Sequence, residues 1–242
     1  MIIYKNKMAD VNNFFWIGGK NTIHEVIKWK KRSVKQVLST KKFYSLGYEQ
    51  ETLVDVKKIN KIFNDPTFAH QGIAALVEKT KFLKERDIKN IPDNSNIVLL
   101  DNINDIRNIG SIIRNCAAFE ISFIIIEKKT TIDTHYLFKS ASGATEHVQF
   151  IKVSNLNTAI HELKKNGFFV FSSSLEAKKN IEEVSFGNKN CIILGSEEKG
   201  VKNLINKNSD ELFKIKHSSK VDSLNVSNSS AVILNHLYQK FK

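Results

Sequence analysis

The sequence predicts an α/β protein in which a small mixed module precedes a larger domain built on a mostly parallel sheet. From residue 96 onward, apolar runs of strand length alternate with segments of helical periodicity, the pattern of strands that return through helices. The longest apolar runs, Ile124-Ile125-Ile126 and Cys191-Ile192-Ile193-Leu194, are strand-sized and far too short to span a bilayer. Residues 79–95, KTKFLKERDIKNIPDNS, are charged and polar, carry Pro92, one of only two prolines, and read as a linker.

Before that linker, residues 1–12 read as an N-terminal extension and 13–78 as the small module. The module is expected to hold a helix around Thr22–Lys30, a strand at Val34–Ser39, a second helix near Ser45–Glu51 and a strand at Leu53–Val56. In the domain 96–242, strands are expected at Ile97–Leu100, Phe123–Ile126, His147–Ile151, Phe168–Ser172, Cys191–Leu194 and Leu212–Ile215. Helices are expected at Ile109–Phe119, Thr134–Ser140 and Leu156–Lys165, and a last one after Ser227 or Asn228, either of which can cap the run Ala231, Val232, Leu234, Leu237. In such sheets ligands sit beyond the C-terminal strand ends, where the loops converge.

The 242 residues, 41% apolar, suffice for one large or two smaller cores. Neither a membrane span nor a secretory leader is apparent, so a cytoplasmic location is expected. The two cysteines, Cys116 and Cys191, lack CxxC or metal-ligand spacing and are expected to be buried free thiols; no metal site is expected. The formal charge is +12, and residues 1–95 hold 18 basic against 10 acidic residues. Lys28, Lys30, Lys31, Arg32, Lys35, Lys41 and Lys42 fall within fifteen residues, interleaved with Trp29, Phe43 and Tyr44. Phosphate attraction beside stacking surfaces is what an RNA-binding face needs. A solvated lysine-rich surface gives the same count.

Three loops carry the chemistry. In the first, Leu99-Leu100-Asp101-Asn102 leaves a strand, and Asn108 with Gly110 opens a helix that contains Arg114, so that Asn108 and Arg114 can both border the loop. In the second, Cys191-Ile192-Ile193-Leu194 runs into Gly195-Ser196-Glu197-Glu198-Lys199-Gly200, where Gly195 admits close backbone approach by a ligand and Glu197 supplies an acceptor. It is neither a Walker A loop nor a GxGxxG fingerprint, which counts against nucleotide hydrolysis and ordinary dinucleotide binding. The third, Ser223-Leu224-Asn225-Val226-Ser227, places a polar loop at a helix N-terminus, whose N–H groups suit a polar ligand. Each alone is also what an ordinary capped helix or turn gives.

In order and together, the three segments resemble the motifs of the SpoU/TrmH family of RNA 2′-O-ribose methyltransferases in the SPOUT superfamily. The likeness covers residues 96–242 strongly. It reaches the first module through Phe15–Ile27 and His70-Gln71-Gly72-Ile73-Ala74, which look like the substrate-binding module of the bacterial 23S rRNA guanosine 2′-O-methyltransferase subgroup. Lys139-Ser140-Ala141-Ser142-Gly143-Ala144 resembles the family's stretch between the first two motifs.

The resemblance implies an L30e-like RNA-binding module and a trefoil-knotted domain that binds S-adenosylmethionine and pairs into a homodimer. It implies cofactor contacts at Leu194, Gly195, Ile215 and Leu224. Functional polar residues would be Asn108, Arg114, Glu197, Ser223 and Asn225, with Glu197 orienting the third loop. Lys28, Lys31, Arg32, His70 and Gln71 would face RNA. The implied activity is 2′-O-methylation of a guanosine in 23S rRNA. The alternatives are the same chemistry on tRNA or another rRNA nucleotide, and a non-catalytic RNA-binding protein. The family assigns activation of the 2′-hydroxyl to Arg114; since arginine's reference pKa is about 12.5 or higher, it acts either as an unusually perturbed base or as a charge that stabilises the developing alkoxide. Where the family often has a proline and a methionine after the position of Ile215, this chain has Lys216-His217.

Overall fold

The computed structural model describes residues 13–42, 48 and 51–241, in two compact units. The helix expected near Ser45–Glu51 and the extension 1–12 fall largely or wholly outside the described residues.

The first unit comprises residues up to Lys81 together with Thr131–Glu146. Its four-stranded sheet has the order β1 (Phe14–Gly18), β4 (Ile73–Glu78), β2 (Val34–Ser39), β3 (Glu51–Leu53). Strand β4 is antiparallel to both β1 and β2, and β3 lies parallel to β2. Helix α1 (Lys20–Trp29) buries Ile23, Val26 and Ile27, the stripe that a 3.6-residue period places on one face. Helix α2 (Val56–Phe63) begins where a strand was expected, because the Asp55 side chain accepts from the N–H of Lys57 at 2.7 Å and caps it.

The expected boundaries shift at two places. Residues 79–95 are not a free linker: β5 (Phe82–Lys84) joins a sheet, a 3-10 turn covers Glu85–Asn90, and Ile88 and Ile91 are buried. Their apolar side chains sit among so many charges that the segment's composition hides them. Helix α4 (His135–Ala141), in turn, belongs to the first unit and buries Leu137, Phe138 and Ala141 there. The Thr22 hydroxyl donates to the carbonyl of Phe138, whose ring meets Phe15 edge-on at 5.0 Å.

The second unit, Phe82–Thr130 with His147–Lys242, is built on an eight-stranded sheet in which every pairing is parallel. Its order is β10 (Lys179–Asn180), β12 (Glu211–Lys214), β9 (Phe169–Ser173), β11 (Asn190–Gly195), β6 (Asn96–Asp101), β7 (Phe123–Glu127), β8 (Gln149–Val153), β5. Both faces are covered, which is why Ile124–Ile126 and Cys191–Leu194 are apolar without alternation. Helix α3 (Ile106–Ala118) follows β6, α5 (Leu156–Lys165) follows β8, α6 (Asn203–Asn208) follows β11, and α7 (Val226–Lys240) packs along α3. Cys116 and Cys191 are buried and unpaired, and burial pushes both thiols up in pKa. Among the described residues no helix is long and apolar enough to cross a membrane.

After β6 the chain builds outward through β7 and β8, and the later strands β9, β11 and β12 lie on the other side of β6. The direction of winding therefore changes between β6 and β11, and the loops leaving these two strands diverge from adjacent positions. Open α/β sheets place ligands at such a point.

Candidate functional site

The β6–β11 ladder sets the site's geometry. It pairs Leu194 with Leu100 and Gly195 with Asp101, so the first and second loops leave the sheet side by side. The second loop folds back at once. The N–H of Gly200 donates to Ser196 O at 2.8 Å, and a Cβ at Gly195 would fall on the backbone of Gly200 and Val201. Glycine is required here because another stretch of main chain lies directly against the residue.

Beyond the strand ends lies a cavity of about 280 Å³, lined by the second loop, by Ser173–Glu176 after β9, by Lys214, Ile215 and His217 after β12, and by Ser223, Leu224, Val226 and Ser229. All four residues expected to touch a cofactor, Leu194, Gly195, Ile215 and Leu224, line it, as do Glu197 and Ser223. Its wall mixes apolar side chains with Glu176, Glu197, Glu198, Lys199 and Lys214, which suits a ligand carrying both charges on an apolar body. His217, where the chain departs from the family pattern, also lines the cavity, its Nδ1 2.9 Å from the carbonyl oxygen of Ile215.

At the edge of this cavity Asn108, Glu197 and Asn225 meet. Glu197 Oε1 accepts from Asn108 Nδ2 at 2.9 Å and also from Asn225 Nδ2, which in turn donates to Asn108 Oδ1 at 3.2 Å. One carboxylate oxygen thus joins the three loops. The other side of Asn225 caps α7: its Oδ1 accepts from the N–H of Ser227 at 2.9 Å and from the Ser227 hydroxyl. The cap is therefore Asn225, in place of the expected Ser227 or Asn228, and the helix starts two residues earlier. Asn115, one helical turn beyond Ile112, donates to Ser227 O and Ser230 Oγ and locks α3 to this end of α7.

Asn225→Ala removes a cap and a loop tie together. We expect it to cost about 1 kcal/mol of stability by urea unfolding, and to weaken ligand binding at the cavity. Unchanged unfolding would show that the cap contributes nothing.

Arg114 is placed differently from the expectation that it borders the loop with Asn108. Six residues at about 100° each put it about 120° around α3 from Asn108. Its exposed side chain has no hydrogen bond or ion pair among the described residues and does not line the cavity.

In the first unit, Lys28 and Lys31 are exposed, with their Nζ atoms 5.6 and 6.0 Å from the ring centroid of Trp29. Trp29 is 45% exposed, and its Nε1 donates to Glu25. Arg32 is not available as a surface cation: its side chain is 9% exposed, Nε donates to Glu146 Oε1 at 2.9 Å, Nη1 donates to Glu78 O, and the guanidinium lies over Phe138. Gln71 Oε1 accepts from the N–H of Lys20 and from Lys139 Nζ, an arrangement that pins the start of α1.

His70 is equally committed. Its Nδ1 accepts from the N–H of Gly72 at 3.1 Å, so the proton sits on Nε2, which donates to Asn60 Oδ1 at 2.7 Å. Burial, and then the Lys139 ammonium, hold its pKa below the usual 6.5. Burial lowers His135 in the same unit, against the opposing pull of Asp65. The unfolded chain therefore takes up protons first as pH falls, and the stability from both groups, complete above about 6.5, declines below it. Urea unfolding should give a lower stability at pH 5.5 than at 7.5, and His70→Gln should flatten the difference; an unchanged slope in the variant would exclude His70 as a source.

Comparison with known proteins gives a consistent picture. A sequence profile of the SpoU rRNA Methylase family matches residues 95–235. The chain is 30% identical over 224 residues to an uncharacterized tRNA/rRNA methyltransferase of Borreliella burgdorferi, covering 88% of this chain and 95% of that one. It is 30% identical over 221 residues to a Staphylococcus aureus protein assigned to the TrmH family of tRNA/rRNA methyltransferases, covering 87% and 85%. Among solved structures, the SpoU methyltransferase AviRb from Streptomyces viridochromogenes, in complex with AdoMet, superposes with a TM-score of 0.80 at 16% identity, over 95% of this chain and 91% of that one. At that identity the likeness establishes the fold.

Proposed function

Because the chain belongs to the SpoU rRNA methylase family of S-adenosylmethionine-dependent tRNA/rRNA methyltransferases, we propose that it methylates the ribose 2′-hydroxyl of a specific guanosine in 23S rRNA. The observation that carries this reading is the meeting of Asn108, Glu197 and Asn225, from three distant segments, beside a cavity lined by all four expected cofactor residues.

The cavity fits the donor. Gly195 lets the loop's own return pass against it while still lining the cavity, Leu194, Ile215 and Leu224 offer apolar surface to an adenine, and three carboxylates stand near a wall that also holds two lysines. When bound, S-adenosylmethionine supplies a methyl group on a sulfonium, a good leaving group. The chain's own residues have to bring the ribose 2′-oxygen in line and manage its proton. Asn108 and Asn225, locked by Glu197, present neutral donors and acceptors that hold ribose or phosphate in register, and Ser223 faces the same cavity. We assign the exposed Arg114 guanidinium the role of stabilising the developing alkoxide, with the adjacent phosphate or a water molecule taking the 2′-hydroxyl proton.

Arg114 does not line its own chain's cavity, which leaves room for the homodimer reading, in which a second copy presents it. A trefoil knot in the second unit is inferred from the family resemblance, knots being rare among folds. Lys28, Lys31 and Trp29 supply a cationic surface with a stacking ring for RNA in an L30e-like first unit, and the cytoplasm is the compartment where such a substrate is met.

Mapping 2′-O-methyl groups in rRNA and tRNA from cells with and without the gene tests the proposal. Loss of one guanosine methyl in 23S rRNA is the expected result. Loss in tRNA would move the substrate, and an unchanged map would overturn the activity.

A further inference from the structure

Asp101, the last residue of β6, is fully buried, and none of the roles assigned above uses it. A buried carboxylate is costly unless its oxygens are matched. Both here face Lys202: Oδ2 accepts the Lys202 backbone N–H at 2.8 Å, and Oδ1 lies 2.8 Å from Lys202 Nζ. Lys202 stands at the N-cap of α6, where the first N–H groups of a helix have no partner within it and no side chain of the cap itself serves. The Asp101 carboxylate, accepting from the ammonium, raises the pKa of Lys202 above its usual value, in keeping with the ion pair.

The position of this pair gives it a consequence. The β6–β11 ladder sets Asp101 beside Gly195, so the residue from which the second loop departs and Lys202, where it returns, both meet the same residue of β6. Between them the loop is pinched at Ser196 and Gly200, and its exposed tip carries Glu197. Residues 195–201 line the cavity, and Glu197 ties Asn108 to Asn225.

We propose that Asp101 is a positioning residue, clamping the return of loop 195–202 through Lys202 so that the loop keeps the shape that receives S-adenosylmethionine and aims Glu197. The part concerning the donor rests on the methyl-transfer reading; the clamp itself does not.

Hydrogen exchange of the loop amides and calorimetric titration with S-adenosylmethionine, on the full-length protein, test it with three variants. Asp101→Ala should speed exchange of the 196–202 amides at least tenfold while β6 and β11 keep their protection, and should raise the Kd at least tenfold. Asp101→Asn keeps one acceptor for the Lys202 N–H and should recover most of both effects. Lys202→Met leaves β6 untouched and removes only the ammonium; it should raise loop exchange severalfold and serves where Asp101→Ala does not fold. Loop exchange at the wild-type rate in Asp101→Ala, or in Lys202→Met where that variant is the one that folds, overturns the clamp. So does a loss of protection spread evenly over the unit. A wild-type protein that binds no S-adenosylmethionine sinks the methyl-transfer reading alone, because the exchange rates still decide the role of Asp101.

Discussion

Replacing Gly195 with alanine should abolish measurable binding of S-adenosylmethionine, weakening it at least a hundredfold, and destabilise the protein by about 1–3 kcal/mol, the usual cost of overpacking. The added methyl would fall on the backbone carbon of Gly200 and the nitrogen of Val201. A flexible side chain gives way to a methyl group, but this stretch of main chain cannot easily do so. Val201 is buried in the core, Lys202 is tied to Asp101, and Gly200 is hydrogen-bonded to Ser196. Gly200→Ala is the matched control. It has a left-handed φ of 62° but open space around its Cβ position, so it should cost only about 1 kcal/mol of backbone strain. Calorimetric titration and urea unfolding of the two variants make the comparison, and wild-type affinity in Gly195→Ala would refute the crossing as the source of the cavity's shape.

Removing the Arg114 guanidinium should have the largest effect on rate with the least on stability. Arg114→Ala is expected to slow single-turnover methylation by about 10²–10⁴, the range for losing a charge stabiliser or a proton-transfer group. Its unfolding free energy should stay within about 0.5 kcal/mol of wild type, as for surface positions without partners. The rate–pH profile of the wild-type chemical step separates the two roles. A charge stabiliser leaves no arginine titration in the profile; a titration that disappears in Arg114→Ala would make it the base. Wild-type turnover in Arg114→Ala would remove the residue from the mechanism.

What could be read from the sequence, and what could not, follows from the range over which each signal acts. The strands of the second unit were legible because Ile97–Leu100, Phe123–Ile126 and Cys191–Leu194 are local apolar runs bounded by polar loops. The cavity residues were legible through a joint resemblance of three loops. Helical phase separates Arg114 from Asn108, and membership in one motif does not place two residues on one face. Arg32 was misjudged for a different cause: it sits in a lysine-rich stretch that reads as surface, and its partner Glu146 lies 114 residues away. The β4 run Ile73–Glu78 and the capped start of α2 at Asp55 went unassigned, because a short apolar segment favours strand and helix about equally until its neighbours are known.

The membership of Thr131–Glu146 in the first unit bears on how the protein is made. Leu137 and Phe138 fill that unit's interior, and Arg32 pairs there with the carboxylate of Glu146. As the chain emerges from the ribosome at about 5–20 residues per second, the amino-terminal unit still lacks part of its interior when its own contiguous stretch is out. It is complete only when residue 146 has cleared the exit tunnel, with β6, α3 and β7 of the second unit already synthesised in between. The amino-terminal unit is thus first in sequence without being first complete, and a cut near residue 95 would separate Thr131–Glu146 from the rest of that unit.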